Sequence, residues 1–322
     1  MSVRKIIDDV IETLPSNVTV DQKIACEKIL KAEKIVFLDT CFLSNMKKID
    51  KNTREEMLRT INKDGETIVF VITELVLYEA SDLRVNCVQP YVVELVNSAV
   101  ESGSDVVVLC EDTTAAFFSQ YVSRNVEWWN STFFNRVIEN RMFLNKTAGL
   151  MQSLTKCVGG EARLTTTNRK DASFIPRIIA AIKEMKENKD SLAEQLICVV
   201  MFFLYEGFNF SNKSIYFCSV DNAALASVRH AIVNSYDKNQ IHYENIHFFL
   251  LLQYMVQQGL VTDKEKLLSY MKKTLPDFVC VVERKKLPFQ EMEEVLTLEQ
   301  ITEGLFEGKT YHFRGNGKSS KK

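Results

Sequence analysis

Five carboxylates fall where an α/β chain ends a strand or begins a helix. Asp39 follows the apolar run Ile35 to Leu38 in KIVFLDT, and Asp221 follows IYFCSV in the same way. Glu79 lies six residues into a helix that begins after TIVFVI, flanked by Val76, Leu77 and Ala80, which suggest a face turned inward. Asp190 and Glu194 are four apart in DSLAEQLICVV, so both project from one helix face near its N-terminus. An ionised carboxylate beside a buried strand is costly unless it is paired, hydrogen-bonded or metal-bound. Several together repel one another unless a cation enters or some stay protonated. Carboxylate oxygens are hard ligands suited to Mg²⁺ or Mn²⁺. A divalent ion held there lowers the pKa of water and stabilises a leaving oxygen, as phosphodiester hydrolysis requires. Taken singly, each acid also has a plain structural role. Asp39, Asp190 and Asp221 can cap the turn or helix that comes next, Glu194 can face solvent, and the helix dipole accounts for Glu74.

The elements that must position these acids are legible as changes of pattern. Residues 1–32 alternate acids with Ile, Val and Leu at three-to-four spacing and predict one or two amphipathic helices. Ile35 to Leu38, TIVFVI (67–72), DVVVL and KSIYFCS then read as buried strands separated by helical stretches, with QIHYEN as a short fifth. Thr73 is the expected cap of the Glu79 helix. The polar run EARLTTTNRKDAS reads as a loop, and 174–187 and 190–206 as two helices. The pattern predicts an α/β domain with a mainly parallel sheet. Such a sheet places its sites outside the carboxyl ends of its strands, which gathers the acids on one edge.

With its acids so placed, the chain resembles the PIN-domain family of nucleases. The resemblance is carried by IVFLDTCFLSN (35–45), ITELVLYEAS (72–81), DSLAEQLICVVM (190–201) and IYFCSVDNAAL (215–225). Asp39-Thr40-Cys41 partly echoes the family's first acid, Val76-Leu77-Tyr78-Glu79 its second, and Ser219-Val220-Asp221 its fourth. For the third, Glu194 fits the register of the helix pattern and Asp190 fits the helix start, so both are retained. Cys41, where the family usually has Asn, and a long gap before Asp221 depart from the pattern. The resemblance implies a PIN-like three-layer sandwich over 33–258 with a helical insertion at about 112–170. Around it lie an N-terminal helical segment (1–32), a C-terminal extension (259–307) and a basic disordered tail (308–322). It implies a nuclease with Mg²⁺ or Mn²⁺, acting on RNA more than DNA, that leaves a 5′-phosphate and a 3′-hydroxyl. Such domains often pair, which leaves a homodimer open.

Composition bounds these readings. The chain has 322 residues, 46% hydrophobic and 25% charged, with 11 glycines and 5 prolines, which fits a packed globule and excludes disordered or collagenous chains. The net charge is −2, and residues 308–322 hold a concentration of Lys and Arg, so the body is acidic. Nucleic-acid binding would then rest on local patches and bound cation rather than on global charge. Hydroxyls beside the first and last acids (Thr40, Ser44 and Ser219) and the basic residues Arg163, Arg169 and Lys170 are candidates to hold a phosphate backbone. Of Trp128 and Trp129, adjacent in sequence, at least one must face the core rather than a base. The eight cysteines form no C-x-x-C pair and read as reduced core thiols. No apolar run is long enough for a membrane span, and acids replace the apolar region of a signal peptide. The expectation is a cytoplasmic protein with no membrane partner.

Two other functions compete. A haloacid-dehalogenase-type phosphatase also begins with an acid after a buried strand, but it needs Asp-x-Asp, and Cys41 holds the third position. A catalytically inactive PIN-like scaffold for RNA or protein is the alternative to the nuclease. The full set of acids favours the enzyme.

Overall fold

The computed structural model describes residues 2–61, 66–114, 117, 125–139, 165–186, 192–207, 213–235, 242–283 and 293–316. Asp190 and Arg163 lie outside these, as does much of the 112–170 stretch. Two N-terminal helices, Val3–Ile11 and Gln22–Lys31, are capped by the Ser2 and Asp21 side chains. They lead into β1 (Lys34–Leu38), followed by β2 (Ile68–Thr73), in both of which every residue is buried. Runs of β-branched and aromatic residues without alternation suit strands covered on both faces. A small ribbon, β3 (Ser81–Asp82) with β4 (Cys87–Val88), precedes β5 (Asp105–Leu109). The sheet is completed by β6 (Ser214–Ser219) and β7 (His242–His247).

The five strands lie in the order β5-β2-β1-β6-β7, and each adjacent pair is parallel. The protein is thus α/β with an all-parallel central sheet and surrounding helices, consistent with a three-layer sandwich. From β1 the chain moves outward on one side through β2 and β5, then returns to build β6 and β7 on the other. The direction of winding reverses between β1 and β6, and at such a point connections diverge to leave a crevice beyond the strand ends. At the far edge, Thr19 covers β5: its N–H donates to Val106 O (3.0 Å) and its carbonyl accepts from Val108 N (2.9 Å). That pairing blunts an otherwise open strand.

One apolar core runs from Ile7 and Val10 of the first helix to Ile301, Leu305 and Tyr311 near the C-terminus. The Leu192–Gly207 helix is buried almost all round from Leu196 to Leu204, as a helix sandwiched between layers must be. Trp129 belongs to this core, 5.7 Å from Phe203 between ring centroids, while Trp128 is only partly buried. A second, antiparallel sheet has the order β10-β8-β9, built from β8 (Phe278–Glu283), β9 (Glu293–Thr297) and β10 (Tyr311–Asn316). Tyr311–Asn316 therefore departs from the expectation of a disordered tail beginning at 308. Its N-terminal end is held by Gln253, whose side chain accepts from Tyr311 N (2.7 Å), while β8 supplies the ladder. Among the described residues, no helix is long and apolar enough to cross a membrane.

Candidate active site

Asp39 and Asp221 flank the point where the sheet reverses its winding. Asp39 extends the β1–β6 pairing by one residue, its N–H donating to Cys218 O (3.0 Å). It stands at the N-cap of the Thr40–Met46 helix, yet its side chain makes no capping bond and is only 2% exposed. Instead Oδ2 accepts a hydrogen bond from Ser219 Oγ at 2.6 Å, and that hydroxyl oxygen in turn accepts from Asp221 N (3.0 Å). Ser219 thus ties the ends of β1 and β6 together. Asp221 does serve the Asn222–Ser235 helix as expected, with Ala223 N donating to Oδ1 at 2.7 Å. Its side chain is otherwise exposed.

Glu79 and Glu194 approach from two helices. Glu79 is the last residue of Glu74–Glu79, and both its oxygens are engaged: Thr40 Oγ1 donates to Oε2 (2.5 Å) and Lys186 Nζ lies 2.6 Å from Oε1. Glu194 lies in the first turn of Leu192–Gly207, and its Oε2 is buried with no hydrogen-bond partner. Electrostatics couples these acids, although among the described residues no three of them bring ligand atoms within 4.8 Å of one another. Burial first, then the charges of Glu79 and Asp221, push Asp39 up to about 6 against the Ser219 bond. Burial, then Asp39 and Glu79, push Glu194 up to about 7. The Cys41 thiol, raised to about 12 chiefly by burial, also feels Asp39, Asp221, Glu194 and Glu79. One thiol that feels all four charges places the acids around a common region. A carboxyl near 7 holds or releases its proton at neutral pH, and binds a cation only by releasing it.

The other expected contacts sort differently. Thr40 and Ser219 orient acids. Ser44 Oγ donates to Cys41 O (3.0 Å), within its own helix. Arg169 and Lys170 are exposed, and the segment read as a loop contains a short helix, Thr166–Arg169. Asn130 pins that turn by donating to the carbonyls of Asn168 (2.8 Å) and Asp171 (2.8 Å). His247, at the end of β7, is pushed down to about 4 by burial. Its Nδ1 accepts from Phe249 N and its Nε2 meets Val220 O, a structural role.

A second acidic group escaped the sequence reading. Glu74 is not merely a helix-start acid: it is buried and bonded to Lys183. Glu74, Cys110 and Asp112 have ligand atoms within 4.8 Å of one another and could hold a metal ion. Lys183 stands among them, 3.0 Å from Glu111 and 3.3 Å from Asp112, and Arg4 lies 3.3 Å from Asp112. A metal would have to displace that ammonium. It would also need a thiolate from Cys110, whose thiol burial pushes up to about 12. Burial alone would lower Lys183, but Glu111, Glu74, Cys110 and Asp112 outweigh it and hold the ammonium well above its ordinary value. Burial raises Glu74 despite this partner. The cation is the firmer member, because it faces several acids while each acid must share it. Thr73, the expected cap, makes no capping bond, and Glu111 Oε1 accepts from Leu75 N (2.9 Å) in its place.

Sequence spacing held a clue to Lys183. In FIPRIIAAIK (174–183) it lies four residues after buried Ile179, on the apolar face. Lys186, four residues after buried Ile182 in the helix expected over 174–187, carried the same signal, although the helix itself ends at Lys183. Comparisons with family models, with curated proteins and with solved structures find no match to this chain.

Proposed function

We propose that this protein is a metal-dependent nuclease of PIN type, an endoribonuclease that uses Mg²⁺ or Mn²⁺. The reading rests on one observation above the rest: Ser219 joins Asp39 and Asp221 where the parallel sheet reverses its winding, and the charges of Glu79 and Glu194 reach the same place. The donor set fits a hard divalent cation, because it is all carboxylate and Glu194 Oε2 is buried without a hydrogen-bond partner. When bound, the cation supplies a more acidic water and a counter-charge for the leaving oxygen.

The chain's own residues do the positioning. Ser219 holds Asp39 by donating to Oδ2, and Thr40 holds Glu79 by donating to Oε2. These bonds set the carboxylate orientations before a ligand arrives, which lowers the cost of ordering them. Since His247 is committed to the backbone, proton removal falls to the carboxylates. The choice of RNA follows the sequence resemblance.

A binding module without catalysis is favoured by one feature, the Lys186 ammonium already paired with Glu79. One experiment separates the two. End-labelled single-stranded RNA and matched DNA are incubated with the protein in Mn²⁺, Mg²⁺ or EDTA, beside Asp39→Asn and Asp221→Asn. The nuclease requires metal-dependent cleavage that both variants reduce by at least about a hundredfold, the usual scale for loss of an electrostatic catalytic group. RNA retention without cleavage in any metal would support the scaffold. Equal cleavage by the variants would place the activity elsewhere.

A further inference from the structure

Among the described residues, Glu79 differs from the other three acids in having an ion-pair partner of its own. The helix Phe174–Lys183 ends in a turn whose backbone is fixed by Met185 N to Ile182 O (3.0 Å) and Lys186 N to Lys183 O (3.1 Å). That turn delivers two lysines, three residues apart, to the two ends of a single short helix. Lys183 pairs with Glu74 at its start, and Lys186 pairs with Glu79 at its end. The Lys186 side chain is only 3% exposed, so its ammonium is enclosed beside the acids rather than waving above them. Its charge also reaches Glu194, where it opposes the effects of Asp39 and Glu79.

We propose that Lys186 is a resident cation of the carboxylate site, standing where a second metal ion would otherwise sit, so that the site takes a single divalent ion. This inference rests on the metal-site reading above and specifies its stoichiometry. Each Glu79 oxygen already has a donor, Oε1 from Lys186 and Oε2 from Thr40. Asp39, Glu194 and Asp221 remain to receive an ion, which would have to draw them together, since among the described residues no three of these acids have ligand atoms within 4.8 Å of one another. Charge points the same way. Four carboxylates with Lys186 leave an excess that one divalent ion reduces without inverting, whereas a second would invert its sign and lie close to both an ammonium and the first ion. Like charges at that range in an enclosed site oppose binding strongly.

The test is a Mn²⁺ titration of the full chain, read from the disappearance of the free-ion electron paramagnetic resonance signal. The set is wild type, Asp39→Asn, Lys186→Gln and Lys186→Arg, with folding checked by circular dichroism. Binding that survives Asp39→Asn belongs to another site and is subtracted. The expected result is one Asp39-dependent ion in wild type and in Lys186→Arg. Lys186→Gln should bind a second ion, or the first about tenfold more tightly, as removal of one neighbouring like charge implies. One ion of unchanged affinity in Lys186→Gln would overturn the resident-cation role while leaving the metal site standing. Two Asp39-dependent ions in wild type would overturn it as well, whether or not any variant folds. No Asp39-dependent ion in any of these proteins would remove the metal-site reading and this inference together.

Discussion

Replacing Glu194 with Gln should stabilise the metal-free protein at neutral and alkaline pH. In the unfolded chain this carboxyl ionises near its ordinary 4.5, while burial and the Asp39 and Glu79 charges raise it to about 7 in the fold. Between those two pH values the unfolded chain gives up a proton that the folded chain keeps. Stability therefore falls as pH rises through the window, and the deficit is complete above about 7. At about 1.4 kcal/mol for each tenfold change in proton affinity, the full deficit is roughly 3 kcal/mol. Gln keeps the shape, cannot ionise, and escapes the penalty. Urea unfolding in EDTA should show the variant more stable by about that amount at pH 8 and level with wild type near pH 4. The matching rise in melting temperature is roughly 5 °C. Saturating Mn²⁺ should narrow or reverse the difference, because the wild-type carboxylate then gains a counter-charge. A variant no more stable than wild type at pH 8 in EDTA would falsify the idea that Glu194 is held there against its charge.

Further expectations come from the second acidic group and from the C-terminal packing. Lys183→Met should cost about 3–5 kcal/mol in urea unfolding, because it strands Glu74, Glu111 and Asp112 without their shared buried cation; a near-neutral change would mean those acids are protonated and need no partner. Gly304→Ala should cost about 1–3 kcal/mol, since the added methyl runs into the Tyr311 hydroxyl in a closed part of the core. Adding Tyr311→Phe to it should recover part of that loss, because the ring carbon stays 2.9 Å from the added methyl, and no recovery at all would locate the clash elsewhere.

Much of the sheet is legible in the sequence because buried parallel strands announce themselves as short apolar runs. IVFL, TIVFVI, DVVVL and SIYFCS correspond to β1, β2, β5 and β6, and the polar QIHYEN leads into β7 at the sheet edge. The acids at the ends of those runs are legible too, since strand direction alone places Asp39 and Asp221 on one edge. What escaped depends on distant partners. Whether Glu74 caps a helix or enters a buried ion cluster is decided by Lys183, more than a hundred residues away. Glu111 caps the helix in place of Thr73 because β5 lies beside β2, a fact of pairing that no local pattern contains. Tyr311–Asn316 becomes a strand through its neighbour β8, although its own composition reads as tail.

The bond from Ser219 to Asp39 spans 180 residues of sequence, and that distance orders events during synthesis. When β1, β2 and β5 have left the ribosome, they can begin to pair, but one side of β1 stays open until β6 emerges. Through that interval the nascent chain exposes an apolar strand edge, the condition under which chaperones are most needed. It also carries Asp39 and Glu79 without Asp221, so the site is completed late. A fragment ending before residue 214 would have neither the closing strand nor the hydroxyl that sets the first acid.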